Sequence, residues 1–277
     1  MKPFLLTALA ASALTAQDVT GPVLGFVVDA QAALHPLVGI PSSAHIGAPV
    51  REDVRESWGS LALLTDGTAL KNGQPLPGHW AALLPGAFLD ESGRELLIVG
   101  EAVEPWRLTI PDRALSVRVS ISGAQVLTLL ADESLASWSS SGAAGSRIQA
   151  SQWWAIAFAG ERPLAYDPAA NALLWLDGPS GTTLARQLPG EGAQYLLAAT
   201  RDGLSAVLLG TQLHIIPFDD GEIRSFSPPP GAQRLEPLHG GQSFLLTREV
   251  SRPLWVLQPS AKEPLHVIPA LTAGGEK

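Results

Sequence analysis

The sequence predicts an all-β protein, a β-propeller of seven blades built from mostly four-stranded antiparallel sheets. The first observation behind this prediction is a short strand step that recurs along the chain and is clearest in Leu174-Trp175-Leu176-Asp177. The seven marker residues of this step are His35, Lys71, Trp106, Trp138, Trp175, His214 and Trp255. They lie 32 to 41 residues apart. A period near forty residues, made of short strands and tight turns, is typical of propeller blades.

The second and third observations concern turns and apolar patterning. The chain contains 27 Gly and 23 Pro, spread in short clusters that suit many turns between short strands. Several strands, such as residues 206–209 and 254–257, are apolar at every position, as expected for strands packed on both faces. Sheets of this kind cover one another when they stack in a ring, so we expect N-terminal strands to pair with the last unit and close it.

The N-terminal half supplies the less regular units. Residues 25–29 and 33–40 form short strands, and residues 60–64 form another before the hairpin signals Asp66-Gly67 and Asn72-Gly73. The unit around Trp106 is short and is expected to lack one strand. Because the units near Lys71 and Trp106 are irregular, a count of six blades stays open.

The C-terminal half is more regular. Successive strands are predicted at residues 115–120, 125–130, 135–138, 204–209, 213–218, 243–247, 254–257 and 265–268. A two-sheet sandwich or two smaller β domains would be the alternative fold. The regular spacing from residue 35 to residue 255 argues against both.

The first residues are typical of a bacterial secretory signal peptide. Lys2 precedes an apolar run at residues 4–14, and small residues follow. We expect residues 1–16 to be the signal peptide, cleaved after Ala16, with cleavage after Ala13 and an unprocessed N-terminal helix as alternatives. Residues 17–270 would then form a single propeller domain, and residues 271–277 a disordered tail. The expected location is periplasmic or secreted.

Charge and composition limit the classes of partner and of chemistry that the protein can have. The net charge is −8, so phosphate backbones would repel the chain and nucleic-acid binding is not expected. No later stretch is long and apolar enough for a transmembrane segment. The sequence has no cysteine, which excludes disulfides and a thiol nucleophile. We expect a monomer.

The recurring aromatic side chains are explained by packing. A large flat side chain at the same place in each blade would fill the gap between neighbouring sheets, and His35 and His214 are expected to pack in the same way. On this interpretation the substitution Trp175→Ala should cost about 3–5 kcal/mol of folding free energy, as for other buried aromatic residues.

No pattern indicates chemistry. There is no phosphate loop, dinucleotide fingerprint, nucleophile elbow or EF-hand loop. The six histidines show no metal-ligand spacing, and they are His35, His45, His79, His214, His239 and His266. With only Asn72 and Asn171 as asparagines, a carboxylate-and-Asn metal site at a ring axis has few candidates. The sequence therefore predicts no catalytic, cofactor-binding or metal-binding residue, and no cofactor.

One segment resembles known repeats. Residues 171–182, which read Asn-Ala-Leu-Leu-Trp-Leu-Asp-Gly-Pro-Ser-Gly-Thr, are similar to the repeats of WD40-type, YVTN-type and quinoprotein-type propellers. In those repeats an aromatic residue precedes Asp and then a Thr/Ser-Gly turn. Residues 19–29 resemble the start of secreted, propeller-like bacterial proteins. The resemblance implies a propeller and no functionally defined family.

Three functions remain open, and the first is favoured. It is a non-catalytic, exported module that binds a protein or glycan on one face of the ring. The second is an exported metal-dependent hydrolase or lyase with its site at the ring axis. The third is a degenerate propeller with a structural role in an envelope assembly. Because the first rests on fold analogy and absent motifs, the sequence favours a protein that is not an enzyme without excluding one.

Overall fold

The structure is a computed structural model that describes residues 21–141, 144–177, 181–219, 221–247 and 249–271. The expected signal peptide lies outside the described residues. Of the expected tail, only Leu271 is described. Its N–H donates to the carbonyl of Val250 at 3.0 Å, and its side chain packs against buried residues.

The described residues form seven antiparallel sheets, each made of consecutive strands. Sheet 1 contains β1 (Val23–Val28), β2 (Leu34–Val38) and β3 (His45–Ile46). Sheet 2 contains β4 (Val54–Trp58), β5 (Leu61–Leu64), β6 (Ala69–Lys71) and β7 (Gln74–Pro75). Sheet 3 contains β8 (Ala82–Leu84), β9 (Ala87–Leu89), β10 (Glu95–Ile98) and β11 (Trp106–Thr109).

The remaining four sheets have four strands each. Sheet 4 contains β12 (Ala114–Val119), β13 (Gln125–Leu130), β14 (Ser134–Ser139) and β15 (Ala144–Gln149). Sheet 5 contains β16 (Ala155–Ala159), β17 (Arg162–Asp167), β18 (Ala172–Leu176) and β19 (Thr182–Gln187). Sheet 6 contains β20 (Leu196–Ala199), β21 (Ser205–Leu209), β22 (Leu213–Pro217) and β23 (Arg224–Phe226). Sheet 7 contains β24 (Glu236–Pro237), β25 (Phe244–Leu245), β26 (Leu254–Leu257) and β27 (Leu265–Ile268).

Buried side chains join each sheet to the next and close the ring. Within the described residues, seven apolar clusters lie one at each boundary between neighbouring sheets, including the boundary between sheet 7 and sheet 1. Strand β21 shows why its positions are all apolar. Ala206 and Leu208 pack toward sheet 5, whereas Val207 and Leu209 pack toward sheet 7. The fold is a seven-bladed β-propeller, as the sequence predicted.

The ring closes differently from the expectation. Sheet 7 contains only strands from residues 236–268, so the prediction that N-terminal strands pair with the last unit is wrong for the described residues. Closure is instead by packing. Leu24 and Val27 of β1 contact a buried cluster that includes Leu245 and Leu254. Residues 236–268 already supply all four strands of sheet 7.

Sheet 1, rather than the unit around Trp106, is the one with three described strands. The direction of β1 shows which strand is missing from sheet 1 among the described residues. The turn after β1 meets the start of β4, through a hydrogen bond from Val54 N–H to Ala32 O at 2.9 Å. The start of β1 lies beside the turn after β24, since His239 N–H donates to Leu24 O. Strand β1 therefore runs opposite to the first strands of the other sheets and corresponds to their second strand.

A buried ion pair ties sheet 7 to sheet 2 across this incomplete blade. The carboxylate of Glu236 is fully buried, forms an ion pair with Arg234, and accepts a hydrogen bond from Gly59 N–H at 2.8 Å. Arg234 also donates to the carbonyl of Ser57 at 3.4 Å and lies 5.4 Å from the ring centre of Trp58. The segment that begins sheet 7 thus contacts sheet 2 directly.

The seven marker residues fall one in each sheet. Six of them lie on corresponding strands. These are the third strands of sheets 2, 4, 5, 6 and 7, and β2 of sheet 1, which corresponds to a third strand. Trp106 is the exception, because it begins the fourth strand of sheet 3. The expectation that Trp106 is equivalent to the other tryptophans is therefore wrong.

The marker tryptophans are only half-buried. Trp175 has its ring centre 4.7 Å from that of Phe218, and the guanidinium carbon of Arg162 lies 4.1 Å from the Trp175 ring. One face of the Trp175 indole is thus covered by the charged side chain of Arg162 rather than by apolar core residues. A cost of about 3–5 kcal/mol applies to a fully buried aromatic residue, so the expectation for Trp175→Ala was too large. It applies instead to Trp80, which is 2% exposed.

Candidate axial binding site

A cavity of about 630 Å³ lies on the axis of the ring. Every one of the seven sheets contributes to its wall, with Leu24, Trp58, Gly86, Arg118, Phe158, Leu197 and Leu238 as one residue from each. A volume of this size is in the range of small-molecule sites.

The cavity lies toward one end of the ring, which we name the turn face. It is the end where the first strand of sheets 2 to 7 turns into the second, at residues 59–60, 85–86, 120–124, 160–161, 200–204 and 238–243. Contacts between these turns show that they share one end. Arg201 N–H donates to Gly241 O at 2.9 Å, and Ser122 N–H donates to the Glu161 carboxylate at 2.9 Å.

Most of the wall is apolar because strands and turns of several sheets present aliphatic residues to the cavity. Leu61, Val99, Val119, Leu197 and Leu238 all line the cavity. An apolar wall of this kind favours a ligand with an apolar body.

Arg118 brings a charge into this apolar wall. It lies on β12, and its Nη1 donates to the carbonyl of Val117 at 2.8 Å and to Ser116 Oγ at 3.5 Å. Among the described residues, no carboxylate forms an ion pair with Arg118. Burial lowers the pKa of Arg118 to about 10. The guanidinium therefore still carries its charge at neutral pH.

Lys71 is a second cation in the wall. Its ammonium donates to the carbonyl of Gly100 at 2.7 Å, which ties sheet 2 to the loop between β10 and β11. In the part of the chain that the structure describes, Lys71 has no ion pair with a carboxylate. Lys71 is also the marker residue of sheet 2, on a strand whose counterpart in five other sheets carries Trp or His.

An ion pair crosses the turn face. Glu101, in the loop of residues 99–105 of sheet 3, lies 2.8 Å from Arg201, in the first turn of sheet 6. Sheets 4 and 5 lie between sheets 3 and 6 in the ring, so this contact spans part of the cavity mouth. Both side chains are substantially exposed.

The loop that carries Glu101 is fixed to sheet 4. Glu101 N–H donates to Ile121 O at 2.9 Å, and Val103 N–H donates to Ser122 O at 3.1 Å. A close approach of two glycines allows this. A Cβ atom on Gly100 would lie 2.2 Å from the Cα of Gly123, so neither position accepts a side chain without movement.

The charges in the wall are unbalanced. Lys71, Arg118 and Arg201 line the cavity, whereas Glu101 is the one carboxylate among the described residues that line it. This local excess of positive charge stands against the net charge of −8 for the whole chain. An excess of one sign in a cleft with low-dielectric walls attracts ligands of the opposite sign.

The two histidines that are marker residues, His35 and His214, are held by hydrogen bonds within the fold. His35 is buried and bonds to Asp29 at 3.0 Å and to Gly47 O at 2.9 Å. His214 bonds to Ser225 at 2.8 Å and to Tyr195 at 3.2 Å, and burial lowers its pKa. His35 is buried, as predicted, whereas His214 is half-buried.

His214 and Ser225 also resemble a base and a nucleophile, but they are directly opposite residues on β22 and β23. Their contact is therefore an ordinary cross-strand pair. His239 is exposed in the turn after β24 and lines the cavity mouth. Among the described residues, no group of three or more His, Asp or Glu side chains is placed to hold a metal ion.

The sequence named no site residue, so the axial residues were missed. A single signal was available. Arg118 is a charged residue between Val117 and Val119 in a predicted strand. In a half-buried strand, a charged side chain is expected on the face that is open to water. The sequence alone could not show that the Arg118 side of β12 faces a cavity at the axis of the ring.

Comparisons with known proteins find similar solved structures but no family. No family model and no curated protein sequence matches the chain. The solved structure of a functionally unknown protein from Desulfotomaculum acetoxidans DSM 771 is similar, with a TM-score of 0.54 and 13% identity over 90% of this chain and 100% of that one. At this identity the likeness shows the fold alone.

Two further solved structures are similar at lower scores. The β-propeller domain of Cps50 (Swd1) from Myceliophteria thermophila has a TM-score of 0.48 and 10% identity over 90% of this chain and 97% of that one. A catalytically inactive virginiamycin B lyase from Staphylococcus aureus, with quinupristin, has a TM-score of 0.46 and 12% identity over 93% and 87%. The described residues also contain no helix with the length and apolar character needed to cross a membrane.

Proposed function

We propose that the chain is an exported, monomeric, non-catalytic binding module that holds a protein or glycan partner at the turn face of the propeller. The observation that carries this proposal is the axial cavity, whose wall is built by all seven sheets and which lies beside exposed turns. Binding residues commonly lie on loops that a rigid scaffold positions, and here the rigid scaffold is the closed ring.

The chemistry of the mouth suits recognition. Exposed polar groups of Glu101, Arg201 and His239 surround the opening, while the wall below them is apolar. Sites with an apolar body and a few convergent polar groups are typical of ligand binding. Export is proposed on the sequence alone, from Lys2 and the apolar run at residues 4–14.

A pair of bulky substitutions at opposite ends of the ring tests the proposal. The labelled protein would be applied to glycan and peptide arrays as wild type, as Ser60→Trp and as Gln152→Trp. Ser60 is exposed in the first turn of sheet 2 and lines the cavity, whereas Gln152 is exposed before β16, at the other end. We expect array binding by the wild type that Ser60→Trp abolishes and Gln152→Trp preserves.

The opposite pattern contradicts the proposal. Binding that Gln152→Trp abolishes and Ser60→Trp preserves would move the partner to the other face of the ring. If the wild type bound nothing on the arrays, the proposal of a protein or glycan partner would be wrong. Retained circular dichroism and thermal midpoints in both variants serve as the folding control.

A further inference from the structure

The half-buried guanidinium of Arg118 lines the axial cavity and has no counter-charge among the described residues. A charge that is partly removed from water is stabilised when an opposite charge pairs with it. In the described part of the chain, the hydrogen bonds of Arg118 use only Nη1 and reach only the neutral acceptors Ser116 Oγ and Val117 O. The protein itself therefore supplies no carboxylate to this site within those residues.

The other charges of the cavity leave this imbalance in place. The carboxylate of Glu101 is engaged by Arg201 at the mouth, 2.8 Å away. Lys71 adds positive charge and is held by the carbonyl of Gly100. An anionic group that enters the cavity would thus meet cations without displacing an internal partner of Arg118.

The wall defines the rest of the ligand. Phe158, Leu197 and Leu238 line the same cavity as Arg118, and its volume of about 630 Å³ can hold an organic molecule. A free inorganic anion would leave this apolar surface uncovered, whereas an apolar body would cover it.

We propose that the axial cavity binds an organic carboxylate with an apolar body, whose carboxylate forms a bidentate ion pair with Arg118. This inference names the ligand chemistry of the site in the proposed function and rests on it. A guanidinium presents two parallel N–H donors that match the two oxygens of a carboxylate. The carboxylate belongs to a free acid or to an acidic group on a larger partner, and the choice of ligands separates these sources.

Isothermal titration with a matched pair of ligands tests the proposal. The probes are 2-naphthoate, its neutral amide 2-naphthamide and inorganic phosphate. We expect 2-naphthoate to bind about tenfold or more tightly than 2-naphthamide, because a charge-assisted pair is lost in the amide. Phosphate should bind more weakly than 2-naphthoate. A peptide with one aspartate and flanking apolar residues tests whether the carboxylate can belong to a larger partner.

Two substitutions should shift the affinity in opposite directions. Arg118→Gln should remove the preference for 2-naphthoate over 2-naphthamide, whereas Arg113→Gln removes an exposed charge from the same sheet and should leave it unchanged. Glu101→Gln should tighten 2-naphthoate binding severalfold, because it removes the carboxylate of the mouth and frees Arg201. Glu95→Gln breaks an exposed ion pair with Arg107 in the same sheet as Glu101 and should have no effect.

Equal affinities for 2-naphthoate and 2-naphthamide would overturn the inference, as would a preference that survives Arg118→Gln. If Arg118→Gln does not fold, the comparison of the two ligands on the wild type decides alone. The proposed function is tested separately. Equal affinities for the two ligands, with array binding intact, would refute only the proposal that the cavity binds a carboxylate. Arg118-dependent binding of 2-naphthoate without any array binding would refute only the proposal that the partner is a protein or glycan.

Discussion

Replacing Arg234 with Met should lower the free energy of unfolding by about 3–5 kcal/mol, because the substitution leaves a fully buried carboxylate without its partner. That carboxylate belongs to Glu236, and it also accepts the N–H of Gly59 from sheet 2. The effect should be large because the pair joins sheets 7 and 2 across the blade that has only three described strands. Urea denaturation followed by tryptophan fluorescence measures it.

A double-mutant cycle separates the pair from its surroundings. The double variant Arg234→Met, Glu236→Leu should recover much of the lost stability, since removing both charges is often close to neutral. Arg252→Met is the matched control, because its pair with Glu249 is exposed and should contribute nothing measurable. A loss below about 1 kcal/mol for Arg234→Met would mean that the pair does not hold sheets 7 and 2 together.

Replacing Trp80 with Ala should also cost about 3–5 kcal/mol, as for other fully buried aromatic residues. Trp80 precedes sheet 3 and packs in the cluster between sheets 2 and 3, with its ring centre 6.5 Å from that of Phe88. Its indole N–H donates to Pro77 O at 3.3 Å, so the side chain is fixed at both ends. The substitution would leave a cavity where two blades meet.

Trp153→Ala is the control for Trp80→Ala in the same urea experiment. Trp153 is 54% exposed, so its removal should change stability by less than about 0.5 kcal/mol. Equal effects of the two substitutions would contradict the assignment of Trp80 to the boundary between sheets 2 and 3.

The repeat could be predicted from the sequence because each blade must solve the same packing problem. Marker residues fall one per sheet, and the hairpin signal Asn72-Gly73 forms the turn between β6 and β7, where both residues have positive φ. The propeller part of the resemblance is therefore confirmed, whereas its bacterial and secreted parts remain predictions.

Irregularities escaped prediction where tertiary contacts decide the local structure. The loop of residues 99–105 reaches over sheet 4, which places Trp106 on a fourth strand although it matches the repeat spacing. The buried pair Arg234–Glu236 reads in the sequence as two surface charges beside a turn. Its burial depends on sheet 2, which is about 177 residues earlier in the chain.

The candidate site was hidden for the same reason. Its residues come from turns and strand ends of seven sheets, and no local spacing links Lys71, Arg118 and Arg201. The apolar cavity and the cluster of cations around Arg118 exist only once the ring is closed. A charged residue in an apolar strand was the one clue in the sequence, and it had no distinguishing motif around it.

Mass spectrometry of the protein recovered from the exported fraction tests the central claim most directly, with native and denaturing spectra recorded in parallel. The account of an exported, non-catalytic binding module predicts a denatured mass that lacks residues 1–16. It also predicts a native monomer without a stoichiometric metal ion. A full-length mass would contradict export, and a stoichiometric metal ion released on denaturation would contradict a non-catalytic axial site.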